Sequence, residues 1–159
     1  IPEALLLIVG EGKDRRRLEK LTKKLGLKSS VKFTGEKPWE KIGCYYQLGD
    51  VFVGASITET QGLTYLEAMA AEIPLIARFD TNLKEIIKDK VNGRYFYKQR
   101  ELPEILFQLL TNKNKSGFLA EQARKDVKKM SAEYFAQKIE HIYRENLRKK
   151  DKKTMTVNG

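Results

Sequence analysis

Short apolar runs alternate with amphipathic stretches along nearly the whole chain. Ala4-Leu5-Leu6-Leu7-Ile8-Val9 is uninterrupted and ends at Gly10-Glu11-Gly12, the pattern of a parallel strand closed by a glycine turn. Leu18, Leu21 and Leu25 recur at helical spacing and predict a helix over 14–25, stopped by Gly26. Val31-Lys32-Phe33-Thr34 predicts a second strand closed by Gly35, and Trp39, Ile42, Tyr45 and Tyr46 the stripe of a short helix opened by Pro38. Val51-Phe52-Val53 predicts a third strand, and Leu63, Leu66, Met69 and Ala70 the helix after it. Ile73-Pro74-Leu75-Ile76-Ala77 predicts a fourth strand, with its proline at the start.

Asn82 is placed to cap a helix over 83–88, Val91-Asn92-Gly93 reads as a turn, and Arg94-Tyr95-Phe96-Tyr97 as a fifth strand. Leu102, Ile105, Leu106 and Leu109 predict a helix over 102–110, followed by a polar turn at 111–116 and a further helix over 118–130. Ser131 is the expected cap of a last helix running to about Lys150, with Phe135, Ile139, Ile142 and Leu147 as its stripe. Strands alternating with helices predict an α/β fold: a Rossmann-like parallel sheet with helices on both faces. The expected organisation is one unit over 1–130, a separate helix over 131–150 and a disordered basic tail over 151–159.

Composition narrows the chemistry. The 159 residues are 41% hydrophobic and 33% charged, as expected of a soluble globular domain. A single cysteine, Cys44, excludes an internal disulfide and a cysteine-cluster metal site, and fits a reducing cytoplasm. No apolar run reaches the ~18 residues that would suggest a spanning helix. The net charge of +10 is uneven, with +3 on residues 1–110 and +7 on residues 111–159. Such a basic end could meet anionic lipid, nucleic acid or only solvent. Arg15-Arg16-Arg17 lacks the interleaved aromatics of a base-stacking surface and reads as the solvated side of its helix. The only histidine, His141, lies far from Ser56, so a serine–histidine hydrolase and a histidine–carboxylate metal site are both disfavoured. The chain opens on Ile1 rather than methionine, the mark expected of a fragment.

The densest chemistry lies in Ser56-Ile57-Thr58-Glu59-Thr60-Gln61-Gly62-Leu63-Thr64-Tyr65-Leu66-Glu67-Ala68-Met69-Ala70. It reads as strand, polar loop and helix, with the loop at the carboxyl end of a strand, where open α/β sheets bind ligands. Gly62 precedes the helix, where a small residue lets a ligand approach the backbone, and the helix mouth suits a phosphate. Glu59 and Glu67, seven residues apart in the intervening chain, flank this point.

Glu59, Gly62-Leu63 and the closing Glu67-Ala68-Met69-Ala70 closely resemble the signature of retaining GT-B-type glycosyltransferases of the glycosyltransferase 4 family. The wording Thr58-Glu59-Thr60-Gln61-Gly62-Leu63-Thr64-Tyr65, and Asp80-Thr81-Asn82-Leu83, are similar to the subgroup that glucosylates diacylglycerol in Gram-positive bacteria. Glu72 departs from the family, which usually has glycine there. The resemblance covers roughly residues 3–150 and implies the C-terminal, donor-binding half of a GT-B fold, lacking its first strand and the amino-terminal domain. It implies that residues 1–130 bind a nucleotide sugar and that 131–150 is a helix crossing back to the other domain.

By the same resemblance Glu59 is the catalytic-site carboxylate that grips donor hexose hydroxyls, and Glu67 holds the ribose. Gly12, Glu36, Lys37, Thr60, Gln61, Gly62, Leu63 and Thr64 complete the implied donor site, with no metal and no cofactor. The implied partners are a UDP-sugar, a lipid acceptor, the missing domain and an anionic membrane surface, with no nucleic acid. The implied place is cytoplasmic, peripheral at the inner face of the cell membrane. The whole enzyme would be a retaining hexosyltransferase moving glucose from UDP-glucose to diacylglycerol in glycolipid biosynthesis, and this fragment alone would be inactive. A polysaccharide or protein acceptor with the same donor is the alternative enzyme reading. A basic nucleic-acid-binding module, indifferent to Glu59, is the alternative outside catalysis.

Overall fold

The computed structural model describes the backbone of residues 3–157 and the side-chain surroundings of residues 3–147. In chain order the elements are β1 (Leu6–Val9), α1 (Arg15–Lys24), β2 (Val31–Gly35), α2 (Trp39–Gln47), β3 (Phe52–Gly54), α3 (Leu63–Ala70), β4 (Leu75–Arg78), β5 (Arg94–Phe96), α4 (Leu102–Thr111), α5 (Lys113–Lys128) and α6 (Ala132–Val157). Every strand pairing is parallel, as the strand–helix alternation predicts. The strands form two sheets, β1–β2 and β3–β4–β5. Among the described residues no strand joins them. We call them the β1–β2 wing and the β3–β5 wing.

The core belongs to the larger sheet. Leu75 and Ala77 of β4 face Tyr65 and Met69 of α3, Leu83, Ile87, Tyr95 and Ala123 of α5. Ile76, pointing the other way as strand geometry requires, packs with Phe96, Ile105 and Leu109 of α4, and Leu119 of α5. Helices therefore cover both faces of this sheet. Neither α1 nor α2 has a buried residue. Leu5, Leu6, Leu21 and Leu25 are exposed, so apolar side chains stand open on the β1–β2 wing. The stripe expected to bury α1 is thus largely open. Its arginines are engaged locally: Arg15 pairs with Glu11 (2.6 Å) and Glu19 (2.9 Å), and Arg17 with Asp14 (3.2 Å).

Four local expectations need correction. The cap after β4 is Asp80, which accepts from the Asn82 backbone N–H (2.8 Å) and starts a 3-10 turn over Thr81–Leu83; residues 83–88 form no α-helix. The polar segment 111–116 is not a loop, because the Asn112 side chain accepts from the Lys115 N–H (3.0 Å) and α5 begins at Lys113. Trp39 is exposed at the start of α2 rather than packed. The buried face of α3 is Tyr65, Ala68 and Met69, whereas Leu63 sits exposed at the helix mouth.

Other expectations hold. Ser131 caps α6, accepting from the Tyr134 N–H (3.2 Å). One bound is corrected: the helix continues past Lys150 to Val157, where the sequence predicts a disordered tail over 151–159, and residues 158–159 lie outside those described. Asn92, in the predicted turn, is buried and acts as a knot. It accepts from the Lys88 N–H (2.7 Å) and donates to the Ile86 carbonyl (3.0 Å) and to the Asp126 carboxylate of α5 (3.0 Å).

Helix α3 ends in a Schellman turn: the Glu72 N–H donates to the Met69 carbonyl (3.1 Å) and the Ile73 N–H to that of Ala68 (3.3 Å). The turn places Glu72 at φ +57°, a left-handed conformation that costs a side chain ~1–2 kcal/mol and that glycine adopts freely. Glu72→Gly is therefore expected to raise stability by about 1 kcal/mol, after the larger unfolded-state entropy of glycine is set against the relief of strain. Urea denaturation of the two chains would show it; an unchanged or lower midpoint would mean that the turn is not strained.

Candidate active site at the mouth of the third helix

The site is built where β3 ends and α3 begins. Gly62, the residue before the helix, is buried with φ +62°. A Cβ there would lie 2.8 Å from Leu83 Cδ2 and 3.0 Å from Ile86 Cδ1. Glycine is thus demanded by the chain's own packing and by the left-handed turn, rather than by a ligand pressed against that face. No side chain caps α3, and no described residue accepts from the Leu63 or Thr64 N–H. Such helix-start donors, at the positive end of the dipole, suit an anionic group.

Glu59 and Glu67 flank this mouth in the chain, and both are half-buried. Glu59 is held through its backbone: its N–H donates to Asp80 Oδ2 (3.4 Å), and its carbonyl accepts from Asn82 Nδ2 (2.7 Å). Glu67, one turn into α3, is held through its side chain, where Oε2 accepts from the Tyr46 hydroxyl of α2 (2.8 Å). Burial, then the Glu67 carboxylate, pushes the Tyr46 phenol well above its ordinary range, so it remains a donor. One oxygen of Glu67 is fixed and the other has no described donor.

Thr60, Gln61, Leu63 and Thr64 are exposed around the same mouth. The remaining sequence-predicted residues stand on the other wing. Gly12 is exposed, with its N–H on Glu11 Oε1 (3.3 Å). Glu36 is exposed, and Lys37 is half-buried with Nζ 5.8 Å from the Tyr45 ring centre. Helix α2 connects the two groups, since Tyr45 meets Lys37 while its neighbour Tyr46 meets Glu67. The apolar stripe makes Tyr46 a packing residue; its bond to Glu67 appears only in the structure. The wording of 80–83 and the predicted cap at Asn82 carry no sign of the bonds that Asp80 and Asn82 make to Glu59. His141 is exposed on α6, away from any such cluster.

The family profile described as glycosyl transferases group 1 matches residues 1–126. The chain belongs to this family. It is 36% identical over 152 residues to alpha-monoglucosyldiacylglycerol synthase of Acholeplasma laidlawii, covering 96% of this chain and 38% of that protein. It is 32% identical over 140 residues to the protein of the same name from Streptococcus pneumoniae, covering 87% and 31%. The structure superposes on sucrose-phosphate synthase from Thermosynechococcus elongatus with a TM-score of 0.78 at 27% identity, over 92% of this chain and 39% of that one. It superposes on Anabaena HepE in complex with UDP with a TM-score of 0.80 at 21% identity, over 91% and 42%, a likeness of fold. The Rossmann-like α/β class and the resemblance to GT-B glycosyltransferases are thus both upheld, and the chain spans less than half the length of these relatives.

Behind the mouth, Tyr65 is fully buried and its hydroxyl has no hydrogen-bond partner. It lies against β3, where a Cβ on Gly54 would fall 2.3 Å from that oxygen. Burial, followed by the nearby charge of Glu59, pushes its phenol up to about 12, and burial does the same for Tyr95. Both raised values favour the protonated, folded form. Stability is therefore full below pH 10 and falls as pH rises from about 10 to about 12, where the unfolded chain alone gives up the protons. After a discount for solvent screening, the shift is worth about 1–2 kcal/mol per tyrosine. Tyr65→Phe should make the alkaline loss of stability shallower by about that amount, measured by denaturation at stepped pH; identical pH slopes would show that this phenol titrates normally.

Proposed function

We propose that this chain is the donor-binding half of a retaining glycosyltransferase that moves glucose from UDP-glucose to diacylglycerol. The observation that carries the reading is the mouth of α3, whose uncapped N–H groups are flanked in the chain by two half-buried glutamates, one held through its backbone and one through its carboxylate. The leaving group of such a transfer is a diphosphate, whose charge the helix start stabilises. The sugar and ribose present hydroxyls, which carboxylates accept well. Glu59 takes the hexose and Glu67 the ribose, with Thr60, Gln61, Gly62, Leu63 and Thr64 lining the mouth. Gly12, Glu36 and Lys37 border the nucleotide from the other wing. Neither role calls for a metal.

The acceptor is supported by the curated relatives, both named as alpha-monoglucosyldiacylglycerol synthases, and the nucleotide by the UDP bound in the HepE structure. Contacts to the lipid and further phosphate ligands are supplied from outside this chain. The protein works at the inner face of the cell membrane. Supporting this are the apolar side chains left open on α6, Phe135, Ile142, Tyr143 and Leu147, in the region that carries the +7 charge. Among the described residues no helix is long and apolar enough to cross a membrane.

Calorimetric titration of the chain with UDP should give weak, saturable heat. Glu67→Gln should weaken it by about tenfold, and Tyr46→Phe by a few-fold, since it removes a single hydrogen bond that orients Glu67. A folded sample that gives no heat would refute the donor site, and wild-type affinity in Glu67→Gln would move the ribose elsewhere. In the whole protein, label from UDP-glucose should appear in the lipid fraction rather than in polysaccharide or protein when diacylglycerol is offered.

A further inference from the structure

The loop over 55–61 carries Glu59, yet it has little structure of its own. Ala55, Ser56, Ile57, Thr58, Thr60 and Gln61 are all exposed. Within the loop the only described hydrogen bond is from the Thr58 N–H to Ser56 Oγ (3.4 Å). Its described hydrogen bonds to the rest of the protein are two, and both are made by one residue to one turn. The Glu59 N–H goes to Asp80 Oδ2, and the Glu59 carbonyl receives Asn82 Nδ2. Asp80 is itself set by its second oxygen, Oδ1, on the Asn82 N–H. The turn that makes these bonds is anchored from beneath by Leu83, which is fully buried and fills the space beside Gly62.

We propose that Asp80 and Asn82 are positioning residues that fix the peptide of Glu59 and so determine how its carboxylate is presented to the donor sugar. This deepens the donor-site reading and rests on it. The physics is selective. Asp80 supplies two acceptors and Asn82 one donor, so the amide and the carbonyl of a single residue are gripped at once. That leaves the Glu59 side chain little room beyond its own rotamers. Glu67 depends on α3 and Tyr46 instead, so the turn should govern the sugar and leave the nucleotide alone.

The same logic separates Asn82→Asp from an ordinary surface change. It is nearly isosteric, but replaces the donor facing the Glu59 carbonyl with an acceptor, and so should be no better than Asn82→Ala. Asn82→Gln retains the donor and should recover part of the effect.

The test uses the whole protein that carries this chain, titrated by calorimetry with UDP and with UDP-glucose, alongside steady-state transfer. In Asn82→Ala and Asn82→Asp, UDP affinity should stay within about twofold. The ratio of UDP-glucose to UDP affinity should fall about fivefold, the worth of one hydrogen bond, with kcat falling as well. Asn82→Gln should lie between these variants and wild type. An unchanged ratio in folded Asn82→Ala and Asn82→Asp overturns the positioning role while the donor site stands. Equal losses for UDP and UDP-glucose also overturn it, since that is what general disruption of the α3 mouth would give. Absence of UDP binding by the wild type overturns the donor site itself, and this role with it.

Discussion

A left-handed residue at the start of α3 is the constraint on which the rest depends. Gly62 turns the chain from loop to helix, and the space where a side chain would project is taken by Leu83 and Ile86. Those residues belong to the segment after β4, so the helix mouth and that segment cannot be placed independently. Once Leu83 is seated, Asp80 and Asn82 come into reach of Glu59, and the loop is tied down. The uncapped N–H groups and Glu59 owe their arrangement to this one close approach, while Glu67 is held by Tyr46 of α2.

The larger sheet supplies the rigidity behind it. Residues 65–123 contain the buried cluster, with β4 covered on both faces and Asn92 tying the segment after β4 to α5. Arg124 of α5 also donates to the Ala70 carbonyl at the far end of α3, which holds that helix from its C-terminus. The β1–β2 wing and α6 have no comparable support and leave leucines and aromatics open. A well-packed half carries the two glutamates, beside a sparsely buried half that carries Gly12, Glu36 and Lys37.

Much of this was legible in the order of residues. All five strands lie within a residue or two of the apolar runs that predict them, because runs of branched and aromatic residues favour extended chain whether or not both faces end up covered. The capping by Ser131 was legible for the same local reason. The stripes of α1 and α6 were legible as helices but not as surfaces, since periodicity reports which side is apolar and not whether anything covers it. The site was legible as a pair of acids around a glycine. The reason for that glycine was not, because it lies in Leu83, more than twenty residues on.

The sequence alone settled the strand–helix alternation, the parallel class and the family motif, since each is a short-range pattern of polarity, glycine and charge. Tertiary structure decided that Tyr46 anchors Glu67, that the turn after β4 grips Glu59, and that the sheet stands in two wings. Each is a contact between segments far apart in the chain. Such a contact depends on how packed elements bring side chains together, and no local pattern encodes that distance.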